Sequence, residues 1–226
     1  MTMPSNFFPE ENPVEGTASN GPADMEKALD YCLHQSKNEG ISLNEVARLL
    51  GPGSYCFLCL ILCIPFIQPM SLGPLTMASG LAFITMGWQM ARGKKAPVLP
   101  GKMGRHLIHG KGWSTVLNVG RSTLRFCRRF TKRRYSQWIV GEGGQKRVGW
   151  LVLAGGFLLA VPFPTIPLSN TFPALMILSA VLALLEEDGL MVILSLAWCA
   201  VTLLYFALLL VLLWIFGSKI WAWLPI

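Results

Sequence analysis

The sequence predicts an all-α, polytopic integral membrane protein. It is built from two Pro-broken helical hairpin repeats, of re-entrant or fully crossing form, and a C-terminal transmembrane helix. Three observations carry this prediction. First, 53% of the 226 residues are hydrophobic and only 14% are charged, whereas a soluble domain carries about 25% charged residues. Second, uncharged stretches of 43, 38 and 30 residues separate Arg48 from Arg92, Arg147 from Glu186 and Asp188 from Lys219, while one spanning helix needs about 20. Third, prolines gather midway through the first two stretches. This balance excludes an ordinary soluble enzyme, a disordered chain and a small disulfide scaffold.

The net charge of +7 is strongly partitioned. Residues 1–50 carry −5, residues 92–147 carry +14 and residues 148–226 carry −2. Residues 1–23 are expected to form a disordered acidic N-terminus, without the basic and apolar regions of a signal peptide. Residues 24–53 are expected to hold two cytoplasmic amphipathic helices. Asp24 can cap the first, and Ser42 and Glu45 have capping-box spacing at the start of the second.

Residues 54–91 form the first broken hairpin. Pro65, Pro69 and Pro74 fall within ten residues, and each removes a backbone donor and clashes with the preceding turn, so one continuous helix is excluded. Residues 148–188 repeat the layout around Pro162, Pro164, Pro167 and Pro173. The two breaks share an order of aliphatic residue, Pro, Phe, then Pro-x-Ser. Paired interruptions of this kind point to a ligand site in membrane carriers. Residues 189–226 supply the last transmembrane helix and a short tail. Cys56, Cys59 and Cys63 recur at helical spacing with no His or carboxylate beside them, and read as packing residues rather than metal ligands.

The basic linker, residues 92–147, is expected to lie in the cytoplasm by the positive-inside rule. Within it Arg121, Arg125, Arg128 and Lys132 follow at spacings of four, three and four. They would form the charged stripe of an interfacial amphipathic helix that contacts lipid headgroups. Flanking membrane blocks favour this over nucleic-acid binding, so no nucleic-acid partner is expected.

The order of these elements resembles the ExoD-like exopolysaccharide synthesis family of bacterial membrane proteins. The resemblance rests on SLNEVARLLG at 42–51, IPFIQPMSLGPLT at 64–76, ARGKKAPVLP at 91–100, VPFPTIPLSNTFPAL at 161–175 and LLEEDGL at 184–190. It runs from about residue 42 to 215. It implies a multi-pass protein of the bacterial inner membrane that supports exopolysaccharide production, and it carries over no catalytic residues.

Two groups of candidate site residues follow. Gln68, Ser71, Gly73, Ser169, Asn170 and Thr171 lie where a new helix starts after each break. Free N–H groups and the helix dipole there favour an anion, such as the phosphate of a lipid-linked saccharide or polyprenyl phosphate. Arg92, Lys94 and Lys95 leave the first hairpin, and Glu186, Glu187 and Asp188 leave the second, as a candidate gate or latch. No enzyme motif, metal set or cofactor fingerprint is present in the sequence, so a non-enzyme without cofactor or metal is expected. The expected function is binding or translocation of an anionic lipid-linked intermediate. A non-catalytic scaffold for polysaccharide-synthesis enzymes is the alternative, and an ion transporter a weaker one. Membrane lipids are expected partners, alongside a homo-oligomeric copy or the synthesis enzymes.

Overall fold

The computed structural model describes residues 41–42, 50–51, 53–67, 74–97, 107–108, 122, 139, 141–161, 166 and 168–223. These form five helices: α1 (Gly53–Cys63), α2 (Pro74–Ala91), α3 (Glu142–Ala160), α4 (Thr171–Glu186) and α5 (Gly189–Trp223). A 3-10 turn, Ile64–Phe66, follows α1. A two-residue antiparallel pairing joins Ile41 to Ile108 and Ser42 to Leu107. The expected amphipathic helices before residue 50 and the basic stripe at Arg121, Arg125, Arg128 and Lys132 lie outside the described residues.

The first two uncharged blocks each become two helical arms, as their prolines require. Pro65 sits at the start of the 3-10 turn and Pro74 opens α2, positions where a missing N–H costs no helical bond. The second hairpin starts further upstream than its hydropathy suggests. Gly141 takes φ +90° and Gly144 presses its bare Cα face on the Ile139 carbonyl, so α3 begins at Glu142 and draws Gln145, Lys146 and Arg147 into its first turns.

The arms pack crosswise between hairpins. α2 of the first hairpin lies along α3 of the second, and α1 packs against α4; α4 also packs on α3 and α5. The α2–α3 seam is antiparallel and made by glycines seven residues apart. A β-carbon on Gly87 would fall 2.5 Å from the Leu153 nitrogen and 2.8 Å from the Gly149 carbonyl oxygen. One on Gly149 would strike the backbone of Met90 and Ala91. Gly80 meets Ala160, and Gly156 meets Ile84, along the same line. Small residues let helix backbones approach closely and gain dispersion contacts, a device common where no water drives association.

The core runs through α1 to α4, with Phe83 and Met90 of α2 and Val148, Val152 and Leu159 of α3 in the same cluster as the α1–α4 contact. Tyr55, Cys56, Phe57, Cys59, Leu60 and Cys63 are fully buried with Ala174, Ile177, Ala180 and Val181. The three cysteines are free thiols in this core, where their small apolar side chains fill space. The Tyr55 hydroxyl donates to Gln89 Oε1 at 3.5 Å, which sets the start of α1 beside the end of α2. Both breaks therefore lie at one end of the bundle and both hairpin openings at the other.

Among the described residues one helix is long and apolar enough to cross a membrane, the Gly189–Ile215 stretch of α5. α1 and α4, with 11 and 16 residues, extend roughly 16 and 24 Å at the helical rise per residue. α2 and α3, with 18 and 19 residues, extend roughly 27 and 28 Å.

Candidate functional site

The break end gathers short polar side chains in an apolar setting. Asn170 is the residue before α4, yet its side chain makes no cap to its own helix. Instead Nδ2 donates to Thr76 Oγ1, 3.3 Å away and buried. Thr76 lies in the first turn of α2, so this bond joins the starts of the two returning arms. Ser79, one turn further along α2, is also buried, as are Ser169 and Thr171.

The approach to α4 is tightly wound. Leu168 adopts φ +66°, a left-handed conformation that costs a non-glycine residue about 1 kcal/mol or more. Its carbonyl accepts the N–H groups of Thr171 at 3.1 Å and Phe172 at 3.3 Å. Ser169 Oγ donates to the Ile166 carbonyl at 2.9 Å. Pro173 has no N–H and Ala174 N–H donates to the Asn170 carbonyl. The first donors of α4, read from the sequence as free for an anion, thus have protein acceptors here. Polar contact to a ligand falls first to the side chains.

Aromatic packing holds α5 across this end. Phe172 stacks on Trp198 with centroids 6.0 Å apart and meets Tyr205 edge-on at 5.3 Å. Ser195 Oγ donates to the Met176 carbonyl, so polar groups on the inner face of α5 are absorbed by backbone. The start of α4 therefore stands level with the Trp198–Tyr205 stretch of α5.

At the opposite end, the exits of the hairpins are closed by left-handed residues. Gly93, with φ +73°, ends α2 and Lys94 N–H returns to the Gln89 carbonyl. Glu187, with φ +52°, ends α4 and Asp188 N–H returns to Ala183. Both are Schellman closures, which satisfy otherwise orphaned carbonyls. Asp188 is buried and its Oδ1 accepts the Leu190 N–H at 3.0 Å, capping α5. Arg92 lies over the Trp88 ring, 4.5 Å from its centroid. Gln145 Nε2 donates to the Lys94 carbonyl at 2.8 Å, fastening this exit to α3. Among the charges read as a latch, Asp188 thus serves to start α5, and Arg92 and Lys94 help shape the α2 exit.

Of the break residues expected from sequence, Ser169, Asn170 and Thr171 come together at the start of α4, while Gln68, Ser71 and Gly73 lie outside the described residues. Thr76 was not among them. Its signal was its position two residues after Pro74, inside the first turn of a helix matched by another break. The 80/87 and 149/156 glycine pairs were equally readable as small-residue seams.

This geometry defines a helical bundle of paired broken arms clamped by one long apolar helix. The family model for exopolysaccharide synthesis, ExoD, matches residues 25–208. Protein ExoD of Rhizobium meliloti (strain 1021) is 30% identical over 185 residues, which cover 82% of this chain and 77% of that protein. The chain belongs to the ExoD exopolysaccharide synthesis family. No solved structure matches it.

Proposed function

We propose that this protein supports exopolysaccharide synthesis as a non-enzymatic component of the bacterial inner membrane. It binds or translocates an anionic lipid-linked intermediate where the two helix breaks meet. The observation that carries the reading is the Asn170–Thr76 hydrogen bond, which sets two interrupted helices start to start. Non-helical backbone within a bilayer is tolerated where it is buried in protein or lines a cavity, and transporters use such paired interruptions to contact anionic groups.

The depth of the breaks supports the same reading. The start of α4 is level with Trp198 and Tyr205, whereas the apolar stretch of α5 continues to Ile215. Those ten further residues extend roughly 15 Å. With α5 spanning the bilayer, the hairpins are re-entrant: they enter and leave on the basic side and turn inside the apolar layer. Exposed Leu75, Met77, Leu81 and Phe157 on α2 and α3 then face acyl chains. A phosphate reaching the breaks engages the hydroxyls and amide of Thr76, Ser169, Asn170 and Thr171. It also competes with the Leu168 carbonyl for the Thr171 and Phe172 N–H groups.

The test is movement of a fluorescent polyprenyl phosphate across vesicles that contain the purified full chain. The expected result is faster equilibration than in empty vesicles and a loss of about tenfold in Asn170→Ala, about 1.4 kcal/mol. Equilibration no faster than in empty vesicles overturns translocation; absence of saturable binding as well overturns the site.

A further inference from the structure

We infer that the corner formed by Trp88, Arg92 and Trp150 is a seat for the phosphate headgroup of an anionic membrane lipid. It rests on the membrane-embedded bundle proposed above, and not on what the breaks bind. The corner lies at the opening end of the hairpins, away from the breaks. Trp88 and Trp150 are large apolar rings that stay 43% and 56% exposed while meeting edge-on, with centroids 6.2 Å apart. Two tryptophans held this way across a helix pair have an apolar body and a polar N–H edge, the combination favoured at the boundary between acyl chains and headgroups.

Arg92 completes the corner. Its guanidinium carbon lies 4.5 Å from the Trp88 ring centroid, a cation–π contact that holds the group beside the ring without using up its N–H donors. A planar guanidinium fork binds phosphate oxygens in pairs. The charges that follow Arg92 in the chain have the matching sign, while Glu186, Glu187 and Asp188 of the α4 exit share this end of the bundle. Lys94 and Lys95 follow in the exit turn and are exposed, and Lys146 and Arg147 project from the first turns of α3. The Lys146 side chain lies against Gly93, and the Gln145–Lys94 hydrogen bond holds the two segments together. On the other side, the exposed apolar residues of α2 and α3 continue toward the break end. The surface therefore passes from apolar to aromatic to cationic along one pair of helices, the order in which a bilayer passes from acyl chain to phosphate. The occupant to which this sequence of chemistries is complementary is an anionic glycerophospholipid.

Two measurements on the full chain test it. In nanodiscs, lipids brominated near the headgroup or near the chain end quench tryptophan at different depths. The expected result is that Trp88→Phe and Trp150→Phe remove intensity quenched by the shallow probe. Loss of deep-quenched intensity overturns the seat, whereas quenching of neither ring by either probe overturns the embedded bundle itself. In the second arm, phosphatidylglycerol and phosphatidylcholine retained by the detergent-purified protein are counted by native mass spectrometry. Arg92→Gln is expected to lower phosphatidylglycerol retention about fivefold and leave phosphatidylcholine unchanged, with Arg92→Lys between the two. Added glycerol phosphate is expected not to displace the lipid, which separates a headgroup seat from a free-phosphate site. Equal retention by wild type and Arg92→Gln, equal loss of both lipids, or displacement by glycerol phosphate overturns the proposal. Unchanged melting of Arg92→Gln is the control for folding, and Lys94→Gln/Lys95→Gln provides a second charge-removing variant if that one fails.

Discussion

The Asn170 amide nitrogen and the Thr76 hydroxyl, 94 positions apart in the chain, meet at 3.3 Å in a buried setting and join the starts of α4 and α2. A residue at the capping position of one helix is thus spent on the other. The bond couples the two hairpins at the end where their backbones are broken, and its energetics are open to measurement. Removing one partner leaves the other buried and unsatisfied, at a cost of about 1–3 kcal/mol. Thr76→Val and Asn170→Ala are each expected to lower unfolding stability in detergent by that amount, and the double variant by less than the sum. Additive losses would show that the two side chains are not coupled.

The glycine seam predicts a steep size dependence. Gly87 faces backbone atoms of α3, which cannot move aside as a flexible side chain would. Gly87→Ala is expected to destabilise by about 1–3 kcal/mol or more, and Gly87→Leu to prevent the α2–α3 pairing, because overpacking forces backbone shifts. Gly143, with open space around it, is the matched control and should tolerate Ala. Thermal unfolding of the three variants checks this, and equal behaviour of Gly87→Ala and Gly143→Ala would contradict the seam.

Asp188 was legible in the sequence as one of three exit acids, but its place in the structure is specific. Its carboxylate accepts the Leu190 N–H, so Asp188→Ala is expected to cost about 1 kcal/mol through loss of the cap, while Asp188→Ser or Asp188→Asn keeps most of it. A stability series over these three variants checks the role. Equal losses for Ala and Ser would assign Asp188 to an ion pair instead.

Leu168 carries left-handed backbone strain at the second break. Glycine relieves it, so Leu168→Gly is expected to stabilise the protein by up to about 1 kcal/mol, offset by the loss of a half-exposed side chain. If the Leu168 carbonyl competes with ligand for the α4 donors, the same change also alters polyprenyl phosphate affinity. Unchanged stability and unchanged binding would together remove strain from the account.

Much of the architecture is written locally. Pro65 and Pro74 dictate where α1 stops and α2 starts, and Pro173 sits in the first turn of α4 with Asn170 at its cap. The family was legible from the order of the same stretches. Partner choice was not. α1 and α4 are apolar on every side, so periodicity marks no preferred face, and nothing in residues 74–91 alone tells that α2 lies on α3 rather than on α1. The glycines that decide it become meaningful only in pairs. The start of α3 was displaced because charge, which marks the linker, runs on into helix once Gly141 and Gly144 have turned the chain. Thr76 was overlooked because a lone threonine beside a proline break carries no chemistry until Asn170 reaches it.

The most direct test of the central claim is photo-crosslinking of a polyprenyl phosphate, carrying its reactive group beside the phosphate, to the full chain in vesicles. If the paired breaks hold the phosphate, label maps to both 68–80 and 166–176, and Asn170→Ala weakens both together. Label confined to the outer face of α5 or to residues 92–147, indifferent to Asn170→Ala, would contradict it.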